Sequence, residues 1–261
     1  MGTPVWMWLV FMGAVLTLLA LDLGVFNKED REIEIGASLK MSAFYISIGL
    51  AFSGLVWWQM TPEATAAYLT AFVIEKTLAL DNIFVIALIF SFFAIPRKYQ
   101  HRVLFWGILG VIVLRGIMIG LGAGIVANYH WVLYIFALFL IFTGIKMLFA
   151  KDDEEPDLSK NPILRFAKSK LRVTEELHGN RFLVKLPDSA GRMVSHATPL
   201  LLALVMIEFA DLIFAVDSIP AIFAISQDPF VVLTSNVFAV LGLRSMYFLL
   251  ADIIRRFYYL R

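Results

Sequence analysis

Apolar residues run along this chain in long stretches separated by short polar connections. Seven stretches are long enough to cross a ~30 Å hydrocarbon core, which takes about 20 helical residues. They predict membrane helices at Thr3 to Phe26, Ser42 to Met60, Tyr68 to Ile95, Val103 to Val126, Trp131 to Ala150, Thr198 to Ile225 and Phe230 to Ile254. One connection is sizeable, Lys151 to Ala197. It opens with the charge run "KDDEEPD". In "NPILRFAKSKLRV", Ile163, Phe166, Ala167 and Leu171 then fall at helical spacing with basic residues opposite. That pattern fits a helix lying on anionic lipid, and equally a plain basic loop. Short β-rich runs around Asp188 to Gly191 predict a small hairpin.

Composition agrees with the pattern. Hydrophobic residues make up 60% of the 261 and charged residues 16%, against roughly 45–50% and 25% in soluble domains. The expected fold class is all-α: a polytopic helical membrane protein in contact with the lipid bilayer, with one domain over 1–261 and 151–197 as a connection within it. A net charge of +1 argues against a nucleic-acid partner. The absence of cysteine removes disulfides, thiolate metal sites and cysteine nucleophiles. The N-terminus lacks a charged n-region and its apolar run holds Asp22, so it reads as a first membrane helix and not a cleaved signal.

Lys and Arg set the orientation. Eighteen of them lie in the connections after spans 1, 3 and 5 and in the tail, and none in the N-terminus or the alternate connections. By the positive-inside rule the N-terminus is outside and the C-terminus cytoplasmic.

The chain also repeats itself. "ALDNIFVI" (Ala79 to Ile86) aligns with "AVDSIPAI" (Ala215 to Ile222), placing Asp81 on Asp217 and Asn82 on Ser218. The same offset of 136 places Glu75 on Asp211, and "VLRGIM" around Arg115 resembles "GLRSMY" around Arg244. Spans 3–4 thus match spans 6–7. A shift of three spans reverses direction, which makes an inverted-topology repeat of the kind transporters build around a midplane site. The counterpart of span 5, which ends in "FTGIKMLFA", would lie beyond Arg261.

Glu75, Asp81, Glu208, Asp211 and Asp217 all lie within about 10 Å of their span midpoints by helical rise. Carboxylates in such a place take up protons or bind a cation. Arg115 and Arg244 read as structural partners for two of the acids. Lys76, next to Glu75, does not share its face. With no cysteine, and with all four histidines in connections or at span ends, a midplane site would be built of oxygen: the five acids with Asn82 and Ser218, and Asn236 in reserve. Such a set suits Mg, Ca or Mn better than Zn or Cu. Residues six apart on a straight helix point about 120° apart, so convergence of Glu75 with Asp81, or Asp211 with Asp217, needs a break. Pro220 predicts one beside Asp217, and symmetry extends it to span 3. Asp22 fits an entrance or a structural cap, and Asp252 a pairing with Arg255 or Arg256. Six tryptophans near span ends read as interfacial residues. The glycines of span 4 (Gly107, Gly110, Gly116, Gly120, Gly122 and Gly124) read as a close-packing face.

The motifs "IEKTLALDNIFV" and "IEFADLIFAVDSIPAIFAI", with "ALDLGVFNK", "QHRVLFWGILG", "HWVLYIF" and "TGIKML", resemble the TerC family of bacterial membrane proteins, Alx-type members above all. The resemblance implies export of divalent metal, Mn²⁺ first, across the bacterial inner membrane. It implies that Glu75, Asp81, Glu208, Asp211 and Asp217 line the ion path, and two further helices after "RRF". No resident cofactor and no enzymatic activity are expected. Proton coupling is a corollary of the excess of carboxylates, and the oligomeric state is open. The alternatives are a Ca²⁺/H⁺ or other cation/H⁺ exchanger and a non-transporting factor for membrane insertion or tellurite stress. An intramembrane aspartyl protease fits poorly, because "ALDN" and "AVDS" lack glycine-flanked aspartates.

Overall fold

The computed structural model describes residues 3–22, 35–149, 161–174, 176–187 and 192–258. In chain order these form α1 (Val5–Leu21), α2 (Ile35–Gln59), α3 (Pro62–Phe92), α4 (Arg97–Asn128), α5 (Val132–Phe149), α6 (Pro162–Lys170), β1 (Leu183–Pro187), β2 (Met193–Ala197), α7 (Pro199–Ile225), α8 (Pro229–Leu241) and α9 (Leu243–Tyr258). Several starts follow one local rule. Thr61 and Asp228 sit at N-caps with proline at the next position, where its missing N–H costs nothing. Thr61 Oγ1 accepts from Ala64 N–H at 3.2 Å, and Asp228 Oδ1 from Phe230 N–H at 2.8 Å.

Each of the seven apolar stretches folds as helix over most of its described length. α2, α4, α7 and the α8–α9 pair over Pro229–Ala251 are long and apolar enough to cross a membrane, and α1 and α5 are shorter apolar helices. α3 runs 31 residues, about 46 Å at helical rise, and carries Glu63, Glu75, Lys76 and Asp81. The architecture is that of a polytopic α-helical membrane protein. Its outer surface is apolar: Tyr134, Leu138, Phe142 and Phe149 of α5 are exposed, as are Trp6, Trp57, Trp58, Trp106 and Trp131.

Inside, one apolar cluster joins α3, α4, α7 and α9, a second joins α1, α2, α3 and α8, and a third joins α3, α4, α7 and α8. α3 and α7, the two halves of the repeat, are both central. β1 and β2 form an antiparallel hairpin, in register from Leu183 opposite Ala197 to Pro187 opposite Met193. Its turn at 188–191 and the "KDDEEPD" run lie outside the described residues.

Three expectations change. α7 stays helical through Pro220 and α3 has no interruption; the bonds that proline frees in a membrane helix can be re-satisfied by neighbours. The discontinuity falls instead in the seventh span, at Gly242, between α8 and α9. α6 is a helix, but it seats Leu164 and Ala167 in the protein core while Phe166 is 64% exposed, so its buried face belongs to the protein.

Candidate functional site

Arg115 of α4, 2% exposed, occupies the centre of the bundle. Its Nε donates to Asp211 Oδ2 at 3.0 Å and its Nη2 to Asp211 Oδ1 at 2.7 Å, a bidentate grip. Nη1 donates to Glu75 Oε1 and, at 3.2 Å, to Asn236 Oδ1. Asn82 Nδ2 donates to Asp211 Oδ1 at 3.3 Å. Helical spacing explains the convergence: Glu75 and Asn82 are seven apart on α3, two turns on one face, and α4, α7 and α8 each add one side chain.

The cluster is charge-poor by one cation. Two carboxylates face a single guanidinium, and Glu75 Oε2, Asn82 Oδ1 and Asn236 Nδ2 are buried without a hydrogen-bond partner. Glu208 lies one turn before Asp211 on α7. Its Oε2 is also buried and unpartnered, and its carboxylate lies so close to Gly110 of α4 that a Cβ there would overlap it. A pocket beside the cluster is lined by Asn82, Val111, Asp211, Phe214, Val240 and Leu243.

The structure therefore brings Glu75, Asn82 and Asp211 together and sets Glu208 beside them. It does not bring in the others. Asp81 is exposed on the outer face of α3 and Asp217 is half-exposed on α7, as the 120° spacing requires of unbroken helices. Ser218 is buried with its hydroxyl unpartnered. Among the described residues no three His, Asp or Glu side chains form a group that could hold a metal ion; Arg115 takes the place a cation would have between Glu75 and Asp211.

Two features lay beyond the sequence reading. Asp22 of the first span pairs with Arg244 of α9 and accepts from Tyr45 Oη at 3.1 Å, so it bridges the two ends of the chain. The Asp252 side chain lies outside the described residues. Lys76 Nζ donates to the Ala239 carbonyl at 2.8 Å, in the last turn of α8. The glycine at the break, Gly242, was the one signal for that feature. The glycines of α4 divide: Gly107, Gly110 and Gly122 approach α7 side chains, whereas Gly116, Gly120 and Gly124 face open space.

At the far end of α3 and α7 a cleft is lined by Glu63, Phe223 and Gln227. Glu63's own backbone N–H and the Thr61 hydroxyl hold its carboxyl below the usual carboxylate range.

The integral membrane protein TerC family model matches residues 60–261, from the start of α3 through the whole cluster. An uncharacterised membrane protein of Myxococcus xanthus is 45% identical over 260 residues, covering 100% of this chain and 79% of that protein. Alx of Photorhabdus laumondii, named as a candidate membrane-bound redox modulator, is 43% identical over 265 residues, covering 98% and 81%. Alx of Escherichia coli is 42% identical over 266 residues, covering 98% and 80%. No solved structure matches. With the family model covering most of its length, the chain belongs to the TerC family of integral membrane proteins.

Proposed function

We propose that the protein is a secondary transporter that exports divalent metal ions, Mn²⁺ first among them, through the α3–α4–α7–α8 cluster. The observation that carries this reading is the charge count: Glu75 and Asp211 share one guanidinium, and unpartnered oxygens of Glu75, Asn82 and Glu208 lie buried around it. A buried site short of one positive charge attracts a cation or a proton. Its oxygen-only chemistry suits Mn²⁺, Ca²⁺ or Mg²⁺.

In this reading Glu75, Asp211 and Glu208 are ligands to the passing ion, and Asn82 and Asn236 orient them. Arg115 holds the acids between turnovers and yields one or both as the ion arrives. Asp81, Asp217 and Ser218 belong to stages of the path in which α3 or α7 has turned. Protons taken up by the acids as the ion leaves couple export to the proton gradient. The protein sits in the bacterial inner membrane, N-terminus outside and C-terminus cytoplasmic, and carries no covalent catalysis. The redox role in the name of Alx belongs to that protein; this chain has no cysteine with which to perform thiol chemistry.

The test is Mn²⁺ flux in proteoliposomes, with Ca²⁺ and Mg²⁺ as competitors, for the unmodified chain, Asp211→Asn and Glu75→Gln. Flux lost in both variants is expected. Equal flux in all three, or Ca²⁺ displacing Mn²⁺ fully, would overturn the site or the choice of ion respectively. Flux indifferent to a pH gradient would remove the proton coupling.

A further inference from the structure

The α8–α9 break carries a half-buried cation that the central cluster does not explain. Ala239 lies in the last turn of α8, where carbonyls lose their intrahelical donors and the helix end carries partial negative charge. Lys76 reaches that end from α3, across 163 positions of sequence, and donates to the Ala239 carbonyl at 2.8 Å. Among the described residues no carboxylate pairs with its ammonium. Glu75, its neighbour in the chain, is held by Arg115 on another face. Space for the ammonium is made by Gly242: a Cβ there would stand 2.8 Å from Lys76 Nζ and 3.2 Å from Tyr45 Cβ.

A half-buried ammonium whose polar partner is a helix-end carbonyl, and not an acid, occupies the position of a bound ion. Half-helix C-termini and interrupted backbone are where broken membrane helices hold monovalent cations. The ammonium is a compact point charge on a flexible stem, so it can take the role that a small hydrated cation would otherwise fill. We propose that the carbonyl end of α8 at Gly242 is a monovalent-cation site whose ion is supplied by the chain itself, as Lys76. The helix break is thereby held in place whatever the Na⁺ or K⁺ concentration, and removing Lys76 opens the site to a free alkali cation.

The experiment reads thermal stability of the purified full chain, so it stands apart from the transport reading: loss of the exporter function leaves this site untouched, and the reverse holds as well. The unmodified protein and Lys76→Ala are compared in NaCl, KCl and choline chloride at equal ionic strength. The unmodified protein should melt at one temperature in all three salts. Lys76→Ala should melt lower in choline and recover saturably with Na⁺ or K⁺, by about 5 °C when the site is filled. Lys76→Gln, which removes the charge and keeps more of the stem, should show the same salt dependence if the alanine variant does not fold. Neutral variants that respond identically to the three salts overturn the proposal. So do neutral variants that fail to fold even in Na⁺ and K⁺, because the site then cannot accept a free cation. An unmodified protein with the same alkali-cation dependence overturns it too, because Lys76 is then not the occupant.

Discussion

Glu75 on α3 and Asp211 on α7, equivalent positions of the internal repeat, grip one and the same guanidinium. Arg115 thus closes the two halves of the bundle upon each other. Arg244, its counterpart in the second half, serves Asp22 instead. The repeat is therefore symmetric in its acids and asymmetric in its arginines. That asymmetry leaves the centre with two acids and one base.

Arg115 should be the least replaceable residue of the cluster. Its removal strands two buried carboxylates, and breaking a buried ion pair on one side costs about 3–5 kcal/mol. Arg115→Gln should lower the melting temperature of the purified protein, and Arg115→Gln with Asp211→Asn should regain part of the loss. The two changes touch, so their effects should not add. A double variant as unstable as the sum of the singles would contradict the pairing.

Asp22, Tyr45 and Arg244 tie the first span to the last. Asp22→Asn leaves Arg244 buried opposite a neutral amide and should cost about 3–5 kcal/mol. Tyr45→Phe loses one hydrogen bond to a charged group, about 1.5–3 kcal/mol. In Asp22→Asn protein the tyrosine change should matter less, because its acceptor has lost its charge. Equal effects of Tyr45→Phe in both backgrounds, read by thermal denaturation, would show that the hydroxyl does not act through Asp22.

Gly110 and Gly116 lie on the same helix and should answer differently to alanine. Alanine is favoured over glycine in a helix by about 0.5–1 kcal/mol. At Gly116 nothing stands within 4 Å of the new methyl, so Gly116→Ala should be neutral or stabilising. At Gly110 the methyl overlaps the Glu208 carboxylate and should displace it. Gly110→Ala should therefore reduce Mn²⁺ flux and melt lower than the parent. Combining it with Glu208→Ala should restore stability without restoring flux.

The helices were legible because apolar runs of membrane length have few other outcomes. The acids Glu75 and Asp211 were legible because the repeat set them in register. The location of the break was not. Pro220 is the stronger local signal, yet α7 carries it inside a helix, while Gly242 in "VLGLRS" interrupts the seventh span where Lys76 from α3 donates to one carbonyl of the last turn. A contact with a helix end made by a side chain 163 positions away leaves no local trace. The Asp22–Arg244 pair joins residues 222 apart and was hidden for the same reason. That Glu75 and Asp81 diverge, by contrast, followed from helical geometry alone once α3 proved unbroken.

Asp81 poses the sharpest test of the path. It is exposed on α3, the helix of the third predicted span, and a carboxylate facing lipid would cost about 2.5–3.5 kcal/mol even on mild scales. Water or a transported ion reaching that face removes the cost, and lipid does not. The chain has no native cysteine, so single cysteines report cleanly. Asp81→Cys in proteoliposomes should react with a small, charged, water-soluble thiol reagent, and Mn²⁺ should slow the reaction. Leu138→Cys, at a position 68% exposed on the apolar outer face of α5, should be nearly inert, because a thiol in hydrocarbon meets neither water nor the reagent and is scarcely ionised. No labelling at either position would place the Asp81 face in lipid and take it off the ion path. Labelling at position 81 alone, slowed by Mn²⁺, would put the outward-facing half of the repeat motif to use and give α3 a turn to make between its two acids.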